Sequence, residues 1–216
     1  MKQFRPSQGF AYSQYNRRRF NKVAKALGVE KKFVEYSVGE NDISQTLVGS
    51  EIDPATALTI SGVAIGDGAR NRDGRTITLK SVHVHGIITS YTPNDRIVRV
   101  VLVRDKQTNG AQFNAEDVLL PTSGTNDVNA FRNLDFIKRF DVLKDLTIVV
   151  NTNHAQAGAI STMRHFKIDV PLNVEVDHRG GTDSVTDITD NSLHLLAVTN
   201  GNDMTYKYVA RTRFVG

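Results

Sequence analysis

The 216-residue sequence contains no cysteine and no tryptophan, and it has no apolar run long enough to cross a bilayer. Without cysteine, a disulfide framework and a thiolate zinc site are both excluded. The first residues, MKQFRPSQGF, lack the apolar core of a secretory signal peptide. We therefore expect a protein without disulfide bonds and without a membrane partner.

Positive charge is concentrated at the start of the chain. Residues 1–32 hold nine bases and one acid, a net charge of +8, whereas residues 33–216 hold 18 bases and 22 acids, a net charge of −4. Such asymmetry indicates a polyanion as the partner of the basic part. The sequence thus predicts two parts, a basic N-terminal arm at 1–32 and a folded domain at 33–216.

The arm predicts a nucleic-acid-binding segment. Its bases can neutralise phosphates, and the aromatic side chains between them can stack on nucleotide bases. The alternatives are a nuclear-import signal, a solubility tail, or a basic amphipathic segment (RRRFNKVAKAL, about two helical turns) that binds an anionic surface. The predicted binding residues are Arg5, Arg17, Arg18, Arg19, Lys22, Lys25, Lys31 and Lys32.

Beyond the arm, apolar residues recur with the period of two that is typical of strands. In TITLKSVHVHGIITS the phase of the alternation slips: Ile77 and Leu79 share one face, and Val82 and Val84 continue it out of phase. One extra residue near Lys80–Ser81 would restore the phase, so we predict a β-bulge there. In FKIDVPLNVEV the alternation is regular, and Pro171 indicates a sheet edge or a bulge because proline cannot donate a ladder hydrogen bond.

The whole pattern predicts an all-β protein. The segment RIVRVVLVRD is apolar on both faces, as in an interior strand, and the Asn109-Gly110 pair after it is a turn signal. Asn114 caps a predicted short helix, NAEDVLL, and TNDVNAFRNL is a candidate for a second one. We predict an eight-stranded antiparallel jelly-roll sandwich, with other Greek-key sandwiches as the alternative. The predicted strands are 33–38, 56–65, 71–90, 96–110, 136–150, 166–176, 192–198 and 206–214.

His83 and His85 are the only candidates for the start of a metal-binding motif. Both rings point to one side of a strand, but no acid follows at Gly86–Tyr91, as the metal motif of cupin enzymes would require. The remaining histidines that could supply a third ligand lie outside any matching motif. They are His154, His165, His178 and His194. We favour partly exposed or interfacial histidines and predict no metal centre.

The other motif-like segments do not predict catalysis. The acidic loop 177–190, with Asp177, Asp183, Asp187 and Asp190, could hold Ca²⁺ between subunits but lacks helix–loop–helix calcium spacing, and a solvated loop is favoured. The glycine-rich segment 66–74 lacks the Lys-Ser/Thr of a phosphate loop and is expected to be a flexible connection. No G-x-S-x-G motif is present, so we predict no catalytic residues, no cofactor and no enzymatic activity.

Three motifs in order carry a resemblance to a known family. Gly74-Arg-Thr-Ile77 opens a predicted strand, Asp105-Lys-Gln-Thr-Asn-Gly110 ends the next, and Arg139-Phe-Asp-Val-Leu-Lys-Asp145 opens another. With the basic arm before them, they make residues 17–150 similar to the capsid proteins of small circular Rep-encoding single-stranded DNA viruses and their plant satellite-like relatives. This arm is less dense in arginine than the long tracts of circovirus-type capsids.

The resemblance implies a coat protein that assembles with copies of itself into a small icosahedral shell. It further implies packaging of a single-stranded genome, DNA by this resemblance, through phosphate contacts of the arm, and a location in the virion and in the host nucleus during assembly. The partner on the host cell is not identified by the sequence. The alternatives are a cupin- or lectin-type jelly roll that binds a metal or a carbohydrate, and a cellular single-strand-binding protein.

Overall fold

The computed structural model describes residues 31–45, 47, 59–122, 127–151 and 161–216. Within them, seven strands form two antiparallel sheets, which confirms the all-β sandwich. The strands are β1 (Lys32–Asp42), β2 (Thr76–Ser90), β3 (Arg96–Asp105), β4 (Phe140–Val150), β5 (Thr162–Asp177), β6 (Ser192–Thr199) and β7 (Met204–Val215). None of the helices in these ranges is long and apolar enough to span a membrane.

The two sheets pack face to face around one apolar core. The four-stranded sheet has the order β1-β7-β2-β5, and the three-stranded sheet has the order β4-β3-β6. Every second residue of each strand enters the core because side chains alternate across a pleated sheet. Ile88, Ile168 and Ala210 from the first sheet and Leu102 and Leu195 from the second are among these buried residues.

The predicted β-bulge is present in β2. The register of β2 shifts between Leu79 and Ser81 against both of its neighbours, β5 and β7. Leu79 and Val82 are therefore both fully buried although they lie three residues apart. Pro171 pairs with Ser81 at this same bulge, and it lies on β5, the edge strand of the sheet. Both environments proposed for this proline are thus found together.

In the three-stranded sheet, β3 and β6 are buried on both faces, as the apolar pattern of β3 predicts. Val100 and Leu102 point into the core between the sheets, whereas Val101 and Val103 point the other way into a second apolar cluster. The connection between β3 and β4 covers this second face, together with Leu47. Its covering side chains are Phe113, Ala115, Val118, Leu119 and Ala130.

The predicted short helix is α1 (Ala115–Val118), and the carboxylate of Asp117 accepts a hydrogen bond from the backbone N–H of Asn114 at 3.1 Å. The second candidate helix is a single 3₁₀ turn at Asp127–Asn129 within the described residues; residues 123–126 lie outside them. The carboxylate of Asp127 fixes this turn, because it accepts hydrogen bonds from the backbone N–H groups of Leu47 (2.7 Å) and Thr122 (2.6 Å).

The strand predicted at 56–65 is not found in its described part, 59–65, so the described residues hold seven strands and not eight. Only one backbone bond links this part to β6, from the N–H of Ile60 to the carbonyl of Leu193 at 3.0 Å. The hydroxyl of Ser61 accepts the next bond, from the N–H of Leu193 at 2.9 Å. Side-chain hydroxyls thus replace the ladder here and end strand pairing.

The strand predicted from residue 136 begins at Phe140, after turns in which the N–H of Arg139 bonds to the carbonyl of Phe136 at 2.9 Å. The connection 66–74 is held by a buried side chain rather than being a free loop. Arg72, 1 % exposed, donates to the carbonyls of Val63 (2.7 Å) and Gly74 (2.6 Å). The sequence analysis did not predict this burial, because a charged residue in a connecting segment is expected to be exposed.

Candidate nucleic-acid interface

The predicted arm residues Arg5, Arg17, Arg18, Arg19, Lys22 and Lys25 lie outside the described residues. Lys31 is exposed immediately before β1. Lys32 is the first residue of β1, is 4 % exposed, and its ammonium lies 2.8 Å from the carboxylate of Asp73. Its charge is neutralised within the folded domain, so it is the least suited of the eight to bind a phosphate.

The arm joins the folded domain at one edge of the four-stranded sheet. Phe33, directly after Lys32, pairs with Arg213 on β7 and points away from the core. The guanidinium groups of Arg211 and Arg70 lie 5.3 Å and 5.5 Å from the centre of its ring. These are cation–π distances, so an aromatic ring and two cations meet where the arm begins.

The outward side chains of this sheet form a surface that we call the sheet face. It comprises Phe33, Glu35, Ser37, Ser81, His83, His85, Ile87, His165, Lys167, Asp169, Lys207, Val209, Arg211 and Arg213. Strand pairing sets these residues in rows across the sheet. One row is Glu35–Arg211–His83–Asp169, and the next is Ser37–Val209–His85–Lys167.

Both acids of the sheet face, Asp169 and Glu35, are already paired. Asp169 accepts from Lys167 at 2.8 Å and from His83 Nδ1 at 2.6 Å, and these bonds lower the pKa of its carboxyl. Glu35 accepts from Arg211 Nε at 2.8 Å, with Arg70 3.3 Å away.

Two bases of this surface, Lys207 and Arg213, form no salt bridge within the described residues. At the far end, the carboxylate of Glu40 accepts from the hydroxyl groups of Tyr91 and Thr205 (2.8 Å), which lower the pKa of Glu40. Lys207 acts on Glu40 only at longer range, where its charge also helps to lower the pKa of that carboxyl. The unpaired charge on the sheet face is therefore positive.

Two adjoining depressions cross the sheet face, with volumes of about 560 Å³ and 360 Å³. Both are lined by His85, Lys167 and Val209, so they adjoin along this row, and we call the two together the groove. Lys167 of β5 and Lys207, Arg211 and Arg213 of β7 line it, together with the two paired acids Glu35 and Asp169. The bases outnumber the acids, so the groove carries a net positive charge.

The metal interpretation finds no support in the described geometry. His83 and His85 do share one side of β2, but His83 is bonded to Asp169 and to Ser81 Oγ at 3.1 Å. His165 lies a row away, His178 and His194 are buried elsewhere, and His154 is outside the described residues. Across ranges 31–45, 47, 59–122, 127–151 and 161–216 no three histidine, aspartate or glutamate side chains form a metal-sized group.

Three of the four acids of loop 177–190 have hydrogen-bond partners within the described residues. Asp177 pairs with Arg75 at 3.0 Å, Asp187 accepts from the hydroxyl of Thr182 at 2.6 Å, and Asp190 accepts from the N–H of Asp177 at 3.0 Å. Bonds from Thr182 lower the pKa of Asp187. The interfacial calcium site stays a prediction, since it would need a second copy of the chain.

The motifs that carry the family resemblance meet at one end of the sandwich. Asp105, fully buried, accepts from Arg139 Nε (2.9 Å) and Nη2 (2.8 Å). This pairing raises the pKa of Arg139. Asp141 binds Arg104 and Lys106 (3.1 Å); burial opposes its ionisation, but these bonds lower the pKa of Asp141 overall. The sequence analysis missed these ion pairs, although their acids and bases stand in the quoted motifs.

The Asn109-Gly110 turn docks this end onto loop 177–190. Both residues have positive φ, 52° and 73°, a conformation that glycine and asparagine tolerate best. Their N–H groups donate to the carbonyls of Thr189 (2.9 Å) and Ile188 (2.8 Å). Arg72 bonds to the carbonyl of Gly180 in the same loop. The motifs and the acidic loop therefore form one structural unit, which holds the ends of β2, β3 and β4 together.

No protein-family model and no curated protein matches the sequence. Among solved structures, an Israel acute paralysis virus pentamer is similar at 10 % identity over 83 % of this chain and 67 % of that one, with a TM-score of 0.39. An activated KBV particle at acidic pH is similar at 7 % identity over 84 % and 69 %, with a TM-score of 0.37. A heated full particle of Israeli acute paralysis virus gives 10 % identity, 83 % and 67 % coverage and a TM-score of 0.33. Scores this low establish neither a shared fold nor a function.

Proposed function

We propose that this chain is a viral coat protein that assembles with copies of itself into a small icosahedral shell and has no enzymatic activity. The observation that carries the proposal is the placement of the three motifs. Gly74–Ile77 leads into β2, Asp105–Gly110 follows β3, and Arg139–Asp145 opens β4, in the order that the resemblance requires. Ion pairs join the last two motifs, so they belong to one structural unit.

We propose further that the fold is a jelly roll, the sandwich of two packed antiparallel sheets that is common in shell-forming proteins. Within the described residues, both ends of β6 bond to the part of the chain between β1 and β2. The N–H of Thr199 donates to the carbonyl of Ser44 at 3.0 Å, and the N–H of Ile60 donates to the carbonyl of Leu193 at 3.0 Å. These bonds tie the two sheets together at the β6 edge of the three-stranded sheet.

Self-association needs a surface that favours contact, and an apolar patch next to α1 offers one. Phe131 is 83 % exposed and Leu134 is 70 % exposed, and the patch is completed by Leu120, Phe136 and Ile137. The N–H of Leu120 bonds to the carbonyl of Phe131 at 2.7 Å, which places these two side chains on adjoining segments. Contiguous exposed apolar surface of this kind is typical of contact sites, and we assign it to other copies of the chain.

The genome would be held by the arm through Arg5, Arg17, Arg18, Arg19, Lys22, Lys25 and Lys31. Binding through phosphates is independent of base sequence and is weakened by salt. The assignment of a single-stranded DNA genome, of the virion as location and of nuclear assembly follows the family resemblance. Lys32 is left out of the set because Asp73 neutralises it.

Expression of the full chain tests the proposal. Size-exclusion chromatography and negative-stain microscopy should show uniform particles, and these should contain nuclease-protected nucleic acid. Replacing Arg17, Arg18 and Arg19 together by alanine should reduce the protected nucleic acid per particle. A chain that stays monomeric in every condition and shows no salt-dependent affinity for nucleic acid would contradict the proposal.

The apolar patch has its own test. Phe131→Asp should prevent particle formation and leave the far-UV circular dichroism spectrum unchanged, because this side chain is exposed in the isolated subunit. Tyr91→Asp is the matched control: Tyr91 is also an exposed aromatic residue but lies away from the patch. Normal particles from the Phe131→Asp variant would exclude the patch as a subunit contact.

A further inference from the structure

We propose that the sheet face is a second binding surface for the phosphates of single-stranded nucleic acid, continuous with the arm. This inference rests on the proposed function. It goes further by identifying the side of the folded domain that faces the genome. The four-stranded sheet leaves its outer face bare within the described residues, whereas side chains of the β3–β4 connection cover the outer face of β3 and β6 in the three-stranded sheet. A bare face with unpaired cations is available to a ligand.

Charge is the first argument. Lys207 and Arg213 form no salt bridge in the part of the chain that the structure describes, although Lys207 acts on Glu40 at longer range, and both point outward from β7. Arg211 and Lys167 each face one acid but keep further N–H donors, since a guanidinium carries five and an ammonium three. The described surface can therefore give charge-assisted hydrogen bonds to several phosphate oxygens at once.

Shape is the second argument. Arg213 and Lys207 lie six residues apart on one strand, which corresponds to about 20 Å. Between them the groove runs over Val209, with Lys167 and His85 on the neighbouring strands. The two acids of the groove, Glu35 and Asp169, are each paired with a base, so the cations left over set the charge that a phosphate backbone would meet. Phe33 pairs with Arg213 beyond this end of the groove, and the guanidinium groups of Arg70 and Arg211 lie over its ring.

The position of the arm is the third argument. The arm, residues 1–32, passes into β1 at Lys32, next to the row that holds Phe33 and Arg213. Its net charge of +8 is repelled by a surface whose unpaired charge is also positive, so the arm itself is not expected to cover the sheet face. A polyanion removes this repulsion and can contact both parts at once. A strand of nucleic acid held by the arm would therefore continue along the groove.

The experiment compares two doubly substituted full-length chains. Lys207→Ala with Arg213→Ala removes the unpaired cations of the sheet face. Lys138→Ala with Lys144→Ala is the matched control, because it removes the same charge from exposed positions near and on β4. The affinity for a fluorescent 30-nucleotide oligothymidine is measured between 0.1 M and 1 M salt. Loss of two phosphate contacts should make the negative slope of log K against log salt shallower by about 1.4 and should reduce the affinity at 0.1 M salt about 25-fold.

The control should keep the parental slope and affinity. Equal slopes for the two variants would overturn the proposal for the sheet face, and the proposed coat function would still stand if the parental chain packages nucleic acid through its arm. No salt-dependent binding by the parental chain would instead overturn the proposed function. Photocrosslinking of a thiothymidine oligonucleotide gives a second measurement. Crosslinks should map to peptides of β1, β2, β5 and β7, and crosslinks confined to the arm would overturn the proposal.

Discussion

The outer faces of the two sheets of this protein differ in polarity and in how far they are covered. The outer face of β3 and β6 is apolar and is covered by Leu47, Phe113 and the residues around α1, whereas β4 joins this covered face only at its start, through Phe140 and Val142. The outer face of β1-β7-β2-β5 is polar and stays bare within the described residues. The difference is visible in the strands themselves: β6 is buried at nearly every position, whereas β7 alternates between buried and exposed residues from Tyr206 onward.

The two outer faces therefore contribute differently, one to the stability of the fold and the other to binding. The covered sheet gains a second apolar cluster, and burial on that side stabilises the fold by about 25 cal/mol for each Å² of apolar surface removed from water. The bare sheet gives up that contribution and keeps outward cations available to partners. Changes to the covered sheet should therefore affect stability, and changes to the bare sheet should affect binding. The predictions that follow test this division.

Acid should produce the largest effect, through two buried histidines. Burial lowers the pKa of His194 to about 4, although Asp105 acts the other way; burial, followed by the nearby charge of Arg72, lowers the pKa of His178 to about 4. The unfolded chain takes up these protons near pH 6.5. Stability is therefore fully present above that pH and falls as the pH drops toward 4, by about 3 kcal/mol for each histidine.

Urea unfolding at pH 7.0, 5.5 and 4.5 checks this prediction. His194 belongs to the covered face, where its ring lies edge-on to Phe113 at 5.0 Å. His194→Phe should remove about half of the acid-induced loss that the two histidines cause. An unchanged dependence of stability on pH in this variant would show that His194 does not couple protonation to unfolding.

Phe140→Ala should have the next largest effect. Phe140 is buried on the covered face, with its ring centre 4.6 Å from that of Phe113. Loss of a buried phenylalanine costs about 3–5 kcal/mol, the removed burial plus the cavity that stays behind. Chemical denaturation at pH 7 measures the change. Phe136→Ala is the control, the same substitution at an exposed site, and should cost under about 1 kcal/mol.

Gly86→Ala should cost about 1–3 kcal/mol by overpacking. Gly86 lies on the core side of β2, where an added methyl group would overlap the ring of Phe166 and lie 3.0 Å from the carbonyl of Lys207. The control is Gly39→Ala, since nothing lies within 4 Å of the added group there. Combining Gly86→Ala with Phe166→Leu should cost less than the sum of the two single changes. Strict additivity would show that the ring does not press on position 86.

Local pattern was enough to predict most of the fold. Alternation predicted β5 and β7, and the slipped phase predicted the bulge at Lys80–Ser81 because side-chain direction depends only on near neighbours. The strand at 56–65 was predicted by the same rule and was not found in residues 59–65. There, the decisive groups are the hydroxyls of Thr59 and Ser61, which bond to each other at 3.0 Å. Whether these hydroxyls replace the backbone hydrogen bonds of a strand depends on the position of β6, which is set by the tertiary structure and not by the local sequence.

The candidate interface was less accessible to sequence reasoning. Charge counting predicted the arm, but the bases of the sheet face are spread over β5 and β7, about forty residues apart. Only strand pairing brings Lys167 and Val209 to neighbouring positions around His85. In the same way, Lys32 was counted with the arm because its partner, Asp73, lies 41 residues further along the chain. The local sequence pattern does not show which residues far apart in the chain become neighbours in the fold.

One substitution made on both sheets should give the smallest effect and the sharpest comparison. Val209→Thr, on the bare face, replaces a methyl group by a hydroxyl that water can reach, and should change stability by less than about 0.5 kcal/mol. Val101→Thr places the same hydroxyl in the fully buried cluster of the covered face and should cost about 1–3 kcal/mol. Denaturation of both variants under identical conditions measures the difference. If Val209→Thr cost as much as Val101→Thr, the sheet face would be covered in the intact chain, and its groove would be closed to nucleic acid.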